Sequence, residues 1–223
     1  MDDAQGCSPG YHGKEGSEGV IKNAFTGGKM DYDIVYADPP WPQFKGGIRK
    51  SRPNQGKELD YPTLTLLEIE NIISQYNGSV LFLWTIDKFL WDAERIAKNL
   101  GYKLHARIIW DKENGVAPAF TIRFSHEYLL WFYRSPFMEI ERRTRGRFTT
   151  VIREKSTYHS HKPIKAYEMI EALYPSASKI ELFARNRRSG WDSMGAQLKA
   201  QGVIKEDFPE DLRIREFPVE APK

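Results

Sequence analysis

The sequence predicts an α/β fold: a mainly parallel sheet with helices against it and an antiparallel edge. Three observations carry this. Short apolar runs bounded by glycine or proline recur along the chain, and segments of helical period separate most of them. Two β-like segments, 104–112 and 125–134, follow one another with no helix between, as an antiparallel pair does. At 223 residues, 40% hydrophobic and 28% charged, the chain suits one full domain rather than two. We expect a loose glycine-rich lead-in over 1–29, the domain over 30–204, and a peripheral tail over 205–223.

Each element has its own signal. YDIVYA (32–37) is a buried strand cut off by prolines. Residues 45–62 read as a basic loop punctuated by proline and glycine. LTLLEIENIISQY (64–76) has helical spacing, with Thr63 or Thr65 as its cap. Asn77-Gly78 reads as a turn into the strand SVLFLW (79–84). A helix over 87–100 ends at Gly101. After the two β-like segments, 134–155 is rich in arginine and has no helical period. Pro163 suits the first turn of a helix that Pro175 follows, and KIELFA (179–184) is the last strand.

Composition excludes several classes. One cysteine, Cys7, leaves no internal disulfide framework and fits a reducing compartment. With five scattered histidines, no metal site is expected. No apolar run is long enough to span a bilayer, and the first ten residues lack the pattern of a signal peptide, so a cytoplasmic protein is expected. The net charge is +3, but 45–57 carries five basic residues and no acidic one, and 134–155 carries seven against three. The remainder is therefore acidic. Basic charge gathered into two windows points to a polyanion.

The stretch ADPPWPQFKGG (37–47) holds the chemistry. A following proline keeps Asp38 extended, and Pro39 and Pro40 have fixed φ and no N–H. The corner therefore offers a carboxylate and backbone acceptors, a set suited to an amino group with two hydrogens. Trp41 adds a flat face for a planar ring, a contact worth about 1–3 kcal/mol for a nucleobase. An exocyclic amine on a base is a poor nucleophile, and acceptors holding its hydrogens push electron density onto nitrogen in the transition state.

DPPW behind a strand resembles the catalytic motif of amino-group methyltransferases that use S-adenosylmethionine. SHKPIKAYEMIEALYPSASKIELFARNRRSGWDSMGAQL (160–198), with YDIVYADPPW, VLFLW and HEYLLWFYR, resembles the adenine-N6 methyltransferase family that includes the messenger-RNA N6-methyladenosine writer. The likeness covers about 32–200. It implies a Rossmann-like S-adenosylmethionine-dependent methyltransferase fold in permuted, β-class order, with the catalytic corner ahead of the cofactor strand. It further implies that Asp38, Pro39, Pro40 and Trp41 form the catalytic corner. Asp33 and Ile34 should lie near the cofactor's adenine, and Asp38 near its methionine amino group, the target amine, or both. His161 and Lys162 should approach its polar end, Glu181 and Phe183 should lie on its strand, Arg185 and Asn186 near its ribose, and Gln197 in a closing G-x-Q contact. Ala196 departs from the asparagine more frequent in that motif.

The two basic windows are expected to flank the site and hold phosphates, through Lys45, Arg49, Lys50 and Arg52 in one and Arg142, Arg143, Arg145 and Arg147 in the other. The chain's size resembles stand-alone members from bacteria and their viruses, which favours DNA over RNA. RNA adenine methylation and a catalytically silent nucleic-acid-binding subunit are the alternatives; cytosine-N4 methylation more often pairs with serine at position 38. Relatives often pair, so the resemblance admits a homodimer.

Overall fold

The computed structural model describes residues 29–42, 63–113, 122, 124–156 and 161–195. The 45–62 loop, Gln197, the C-terminal tail and nearly all of the lead-in lie outside them, and with them Lys45, Arg49, Lys50 and Arg52. Among the described residues seven strands form one sheet: β1 (Met30–Ala37), β2 (Tyr76–Thr85), β3 (Lys103–Asp111), β4 (His126–Tyr133), β5 (Val151–Arg153), β6 (Lys179–Leu182) and β7 (Asp192–Met194). Their order across the sheet is β5-β3-β4-β2-β1-β6-β7. β4 runs antiparallel to both neighbours and every other pairing is parallel. The antiparallel pair thus occupies one side of the sheet, with short β5 added outside it.

Alternation along the strands builds two cores. Val35 and Ala37 face one layer with Leu81 and Leu83, covered by helix α1 (Leu66–Ser74) and helix α2 (Leu90–Asn99) through Ile69, Ile73, Ala93 and Ile96. Ile34 and Tyr36 face the other with Val80, Phe82 and Trp84, covered by helix α3 (Ile164–Leu173) through Ala166, Met169 and Ile170. A strand buried on both faces reads as a continuous apolar run, which is why β1 and β2 were visible in sequence.

Thr65 caps α1 in a reciprocal box: its hydroxyl accepts the Glu68 N–H at 3.2 Å while Glu68 accepts the Thr65 N–H at 2.7 Å. The Asn77-Gly78 turn does not form. β2 begins at Tyr76, in register with Met30, and Asn77 donates to the Asp31 carboxylate at 2.8 Å. Gly78 serves close packing instead, since a Cβ there would lie 2.8 Å from Val35 Cγ2. β5 and β7 were not anticipated; at three residues each they are too short to show a period. Among the described residues no helix is long and apolar enough to cross a membrane.

The turn after β6 depends on Gly195. Ala184 N–H donates to the Met194 carbonyl at 2.9 Å, and a Cβ on Gly195 would fall 2.0 Å from the Ala184 carbonyl oxygen. Backbone cannot swing away as a side chain can. Gly195→Ala should therefore cost about 3 kcal/mol, the upper end for overpacking. A lowered urea midpoint at unchanged m-value checks this; an unshifted midpoint would show that the strand pair yields freely.

Candidate active site

The carboxyl ends of β1 and β6, the start of antiparallel β4 and the entry to α3 all meet on one rim. Asp38 leaves β1 there, and the proline pair turns the chain. Trp41 N–H closes back onto the Pro39 carbonyl at 2.9 Å, and Leu64 N–H bonds the Pro40 carbonyl at 2.9 Å. Each carbonyl thus has one lone pair committed and one left. The indole differs from expectation. Trp41 is 5% exposed, stacks on Phe89 at 5.5 Å and 12°, and donates Nε1–H to the Trp84 carbonyl at 3.0 Å. It forms a wall that fixes the corner rather than an open stacking face, because α2's entry brings Phe89 over it.

The Asp38 carboxylate belongs to a line of alternating charges. Lys162 Nζ lies 2.9 Å from Asp38 Oδ1 and 2.8 Å from Glu127 Oε2, and Lys112 Nζ lies 2.5 Å from Glu127 Oε1. Trp84 and Trp110 lie beneath the two ammonium groups, with ring centroids 5.1 and 5.2 Å away. Burial pushes the Asp38 carboxyl above its usual range, and Lys162 offsets this only in part. Burial acts upward on Glu127 as well, but Lys162 and Lys112 outweigh it and hold its pKa low. Burial would lower Lys162, yet Asp38 and Glu127 outweigh it and keep the ammonium protonated. Glu127 and Lys112 were missed in sequence. Their only signal was a carboxylate opening the apolar strand HEYLLWFY opposite the end of RIIWDK.

Beside this line is a cavity of about 180 Å³, lined by Asp38, His161, Lys162, Glu181, Phe183, Arg185 and Asn186. Glu181 is buried, with Oε1 accepting the Tyr167 hydroxyl at 2.9 Å. Among the described residues its other oxygen has no partner, so it can accept from a bound hydroxyl. Burial raises this carboxyl to about 7; the Tyr167 bond opposes the rise and Asp38 adds to it. Phe183 turns the chain at φ 63°, a left-handed conformation that costs a bulky residue about 1–3 kcal/mol. Tyr167 is braced from below. Its ring lies 4.9 Å from that of Tyr36 and 4.8 Å from the Arg188 guanidinium. Arg188 forks onto Glu171 at 2.6 and 2.9 Å, and Trp191 Nε1 joins at 2.7 Å.

Three sequence expectations need correction. Asp33 is not at this cavity: five strand residues, about 16 Å, separate it from Asp38. Its carboxylate accepts the Ser178 N–H at 2.8 Å and hydroxyl at 2.9 Å, in a separate cleft of about 420 Å³ shared with Asp31 and Arg134. Ile34 is wholly buried beneath α3. The arginine-rich segment does not leave from the catalytic rim either. Because β4 is antiparallel, Arg134 exits at the opposite rim, where it donates to the Leu100 carbonyl at 3.0 Å. Arg142, Arg143, Arg145 and Arg147 follow as exposed side chains near the far end of α3.

Comparison with known proteins gives the site its context. The MT-A70 family profile matches residues 32–197. The chain is 28% identical over 190 residues to the Type II methyltransferase M.MunI of Mycoplasma sp, covering 76% of this chain and 79% of that one. It is 29% identical over 182 residues to the N(6)-adenosine-methyltransferase MT-A70-like of Arabidopsis thaliana, covering 78% of this chain and 25% of the other. It is 28% identical over 184 residues to the human N(6)-adenosine-methyltransferase catalytic subunit METTL3, covering 79% of this chain and 30% of the other. Against these two longer relatives the chain spans less than a third of their length. The match runs through both the DPPW corner and the cavity strand, and the chain belongs to the MT-A70 family.

Proposed function

We propose that this protein transfers a methyl group from S-adenosylmethionine to the N6 amino group of adenine in DNA, through a methyltransferase domain spanning 30–204 and acting in the cytoplasm. MT-A70 methyltransferases use S-adenosylmethionine as methyl donor. The observation that carries the reading is the Asp38 carboxylate, set by Lys162 at the mouth of a cavity that also holds the buried Glu181. The donor set suits the cofactor: carboxylates for its hydroxyl and amino groups, Lys162 for its carboxylate, and Arg185 and Asn186 beside its ribose. When bound, the cofactor supplies an electrophilic methyl group.

The chain's own residues do the rest. Asp38 and the spare lone pair of the Pro39 carbonyl accept the two amine hydrogens. A carboxyl with a raised pKa suits the proton that nitrogen sheds as its new bond forms. Lys162 holds Asp38 in place, and Glu127 holds Lys162. In a duplex the base must swing out to reach this rim, at a cost of a few kcal/mol.

DNA is favoured because the Type II methyltransferase matches the chain over most of both lengths. RNA is the second reading, supported by the relatives named N(6)-adenosine-methyltransferases. Incubation with labelled cofactor and defined DNA and RNA oligonucleotides, followed by identification of the modified base, separates them. N6-methyladenine in DNA is the expected product; label in RNA alone would favour the second reading, and label in neither would sink both.

Two further outcomes follow from the geometry. Asp38→Ala should lower kcat about 10²–10⁴-fold, the range for a positioned proton acceptor. Full activity in that variant would mean the corner is not catalytic. For Glu181, the folded pKa near 7 stands above the unfolded 4.5, so the folded state holds the extra proton between them. Stability from this group is therefore complete below pH 4.5 and declines as pH rises to about 7, by about 3 kcal/mol. Glu181→Gln should remove that decline from the pH profile of unfolding; an identical profile would contradict the assignment.

A further inference from the structure

The arginines of 142–147 have no role at the catalytic rim, yet the chain holds them in order. Arg142–Thr144 form a 3-10 turn, with Thr144 buried and its hydroxyl donating to the Glu141 carbonyl at 2.6 Å. Arg147 N–H returns to the Thr144 carbonyl at 3.0 Å, and Gly146 takes φ 73° to close the knob. Glu141 N–H bonds the Leu173 carbonyl at 2.8 Å, tying the knob to the last residue of α3. The chain then climbs the sheet edge as β5 and returns to the catalytic rim at Glu154 and Lys155.

Two of the nearby carboxylates are engaged elsewhere. Glu141 accepts the Arg143 backbone N–H at 3.3 Å, and Glu154 caps α3 by accepting the N–H groups of Ile164 and Lys165 at 2.8 and 3.0 Å. Among the described residues the side chains of Arg142, Arg143, Arg145 and Arg147 have no ion pair or hydrogen bond. Exposed Arg153, on β5, has one long contact, 3.9 Å to Asp111. Like charges fixed on one rigid knob repel each other, so an external polyanion is the partner that relieves them.

We propose that these four arginines, continued by Arg153 and Lys155 along β5, form a phosphate track that holds the nucleic acid flanking the target adenine. This rests on the nucleic-acid reading above and adds a path to it: from the catalytic rim along the β5 edge to the far end of α3. The ten residues of α3 give that path a length of about 15 Å, or four to five phosphates of a duplex strand. The duplex contacted is therefore longer than the rim alone could hold.

Fluorescence anisotropy on 24-base-pair duplexes carrying one central adenine tests the track, with Kd followed against salt for the wild-type protein and for arginine variants. Four to five phosphate contacts along the track should contribute about 4 to the wild-type log–log salt slope, at 0.9 per phosphate. R142A/R143A/R145A/R147A should lose that contribution and bind the 24-mer about 10-fold or more weakly. The corresponding quadruple lysine variant should keep most of the slope, because an ammonium still meets a phosphate. An alanine variant with the wild-type slope on the 24-mer would overturn the track. Methyl transfer to the same duplexes, measured in parallel, separates the two claims. A missing product with an arginine-dependent slope refutes the adenine reading alone, and product without that slope refutes the track.

Discussion

Lys162 is shared between two carboxylates, and the geometry of the rim depends on that sharing. Asp38 ends β1, Glu127 begins β4, and Lys162 enters α3, so one ammonium ties together three elements far apart in sequence. Paired with a single carboxylate, a buried lysine gains little over its desolvation cost. Here Glu127 supplies the second contact and Lys112 balances Glu127, leaving the line neutral overall. A neutral line can be buried against Trp84 and Trp110 without leaving an uncompensated charge. Asp38 is thereby placed at the mouth of the cavity and not left to a flexible loop.

Everything around the line limits its movement. Trp41, wedged against Phe89 and bonded to the Trp84 carbonyl, prevents the proline corner from pivoting. Across the cavity, Tyr167 positions Glu181 and is itself clamped by Tyr36, Arg188 and, through Arg188, Glu171. Gly195 lets β7 close on Ala184 directly beneath the strained turn at Phe183. A site built on strand ends and a helix entry, with its side chains held by further contacts, is the arrangement that favours transition-state alignment.

The sequence made some of this legible and hid the rest for physical reasons. Strands buried on both faces leave unbroken apolar runs, so β1 and β2 were readable, as was the placement of Asp38, Lys162, Glu181 and Arg185 around one cavity. Asp33 was misplaced because a motif gives order along the chain but not distance, and a strand carries five residues about 16 Å. Trp41 could be read as a stacking face or as a wall, and only the neighbour brought by α2 decides. Glu127 and Lys112 are partners across adjacent antiparallel strands, and no local pattern pairs them. The same antiparallel strand moved the arginine-rich segment to the opposite rim. A charge count along the chain does not detect a reversal of direction.

Glu127 acts through Lys162 on Asp38, as one unit. A double-mutant cycle on kcat with Glu127→Gln and Lys162→Met reads that coupling. If the line is a unit, the double variant should lose about as much activity as the worse single variant, since the second change removes a contact already broken. Additive losses would contradict the account, because they would mean that Glu127 and Lys162 serve the reaction independently.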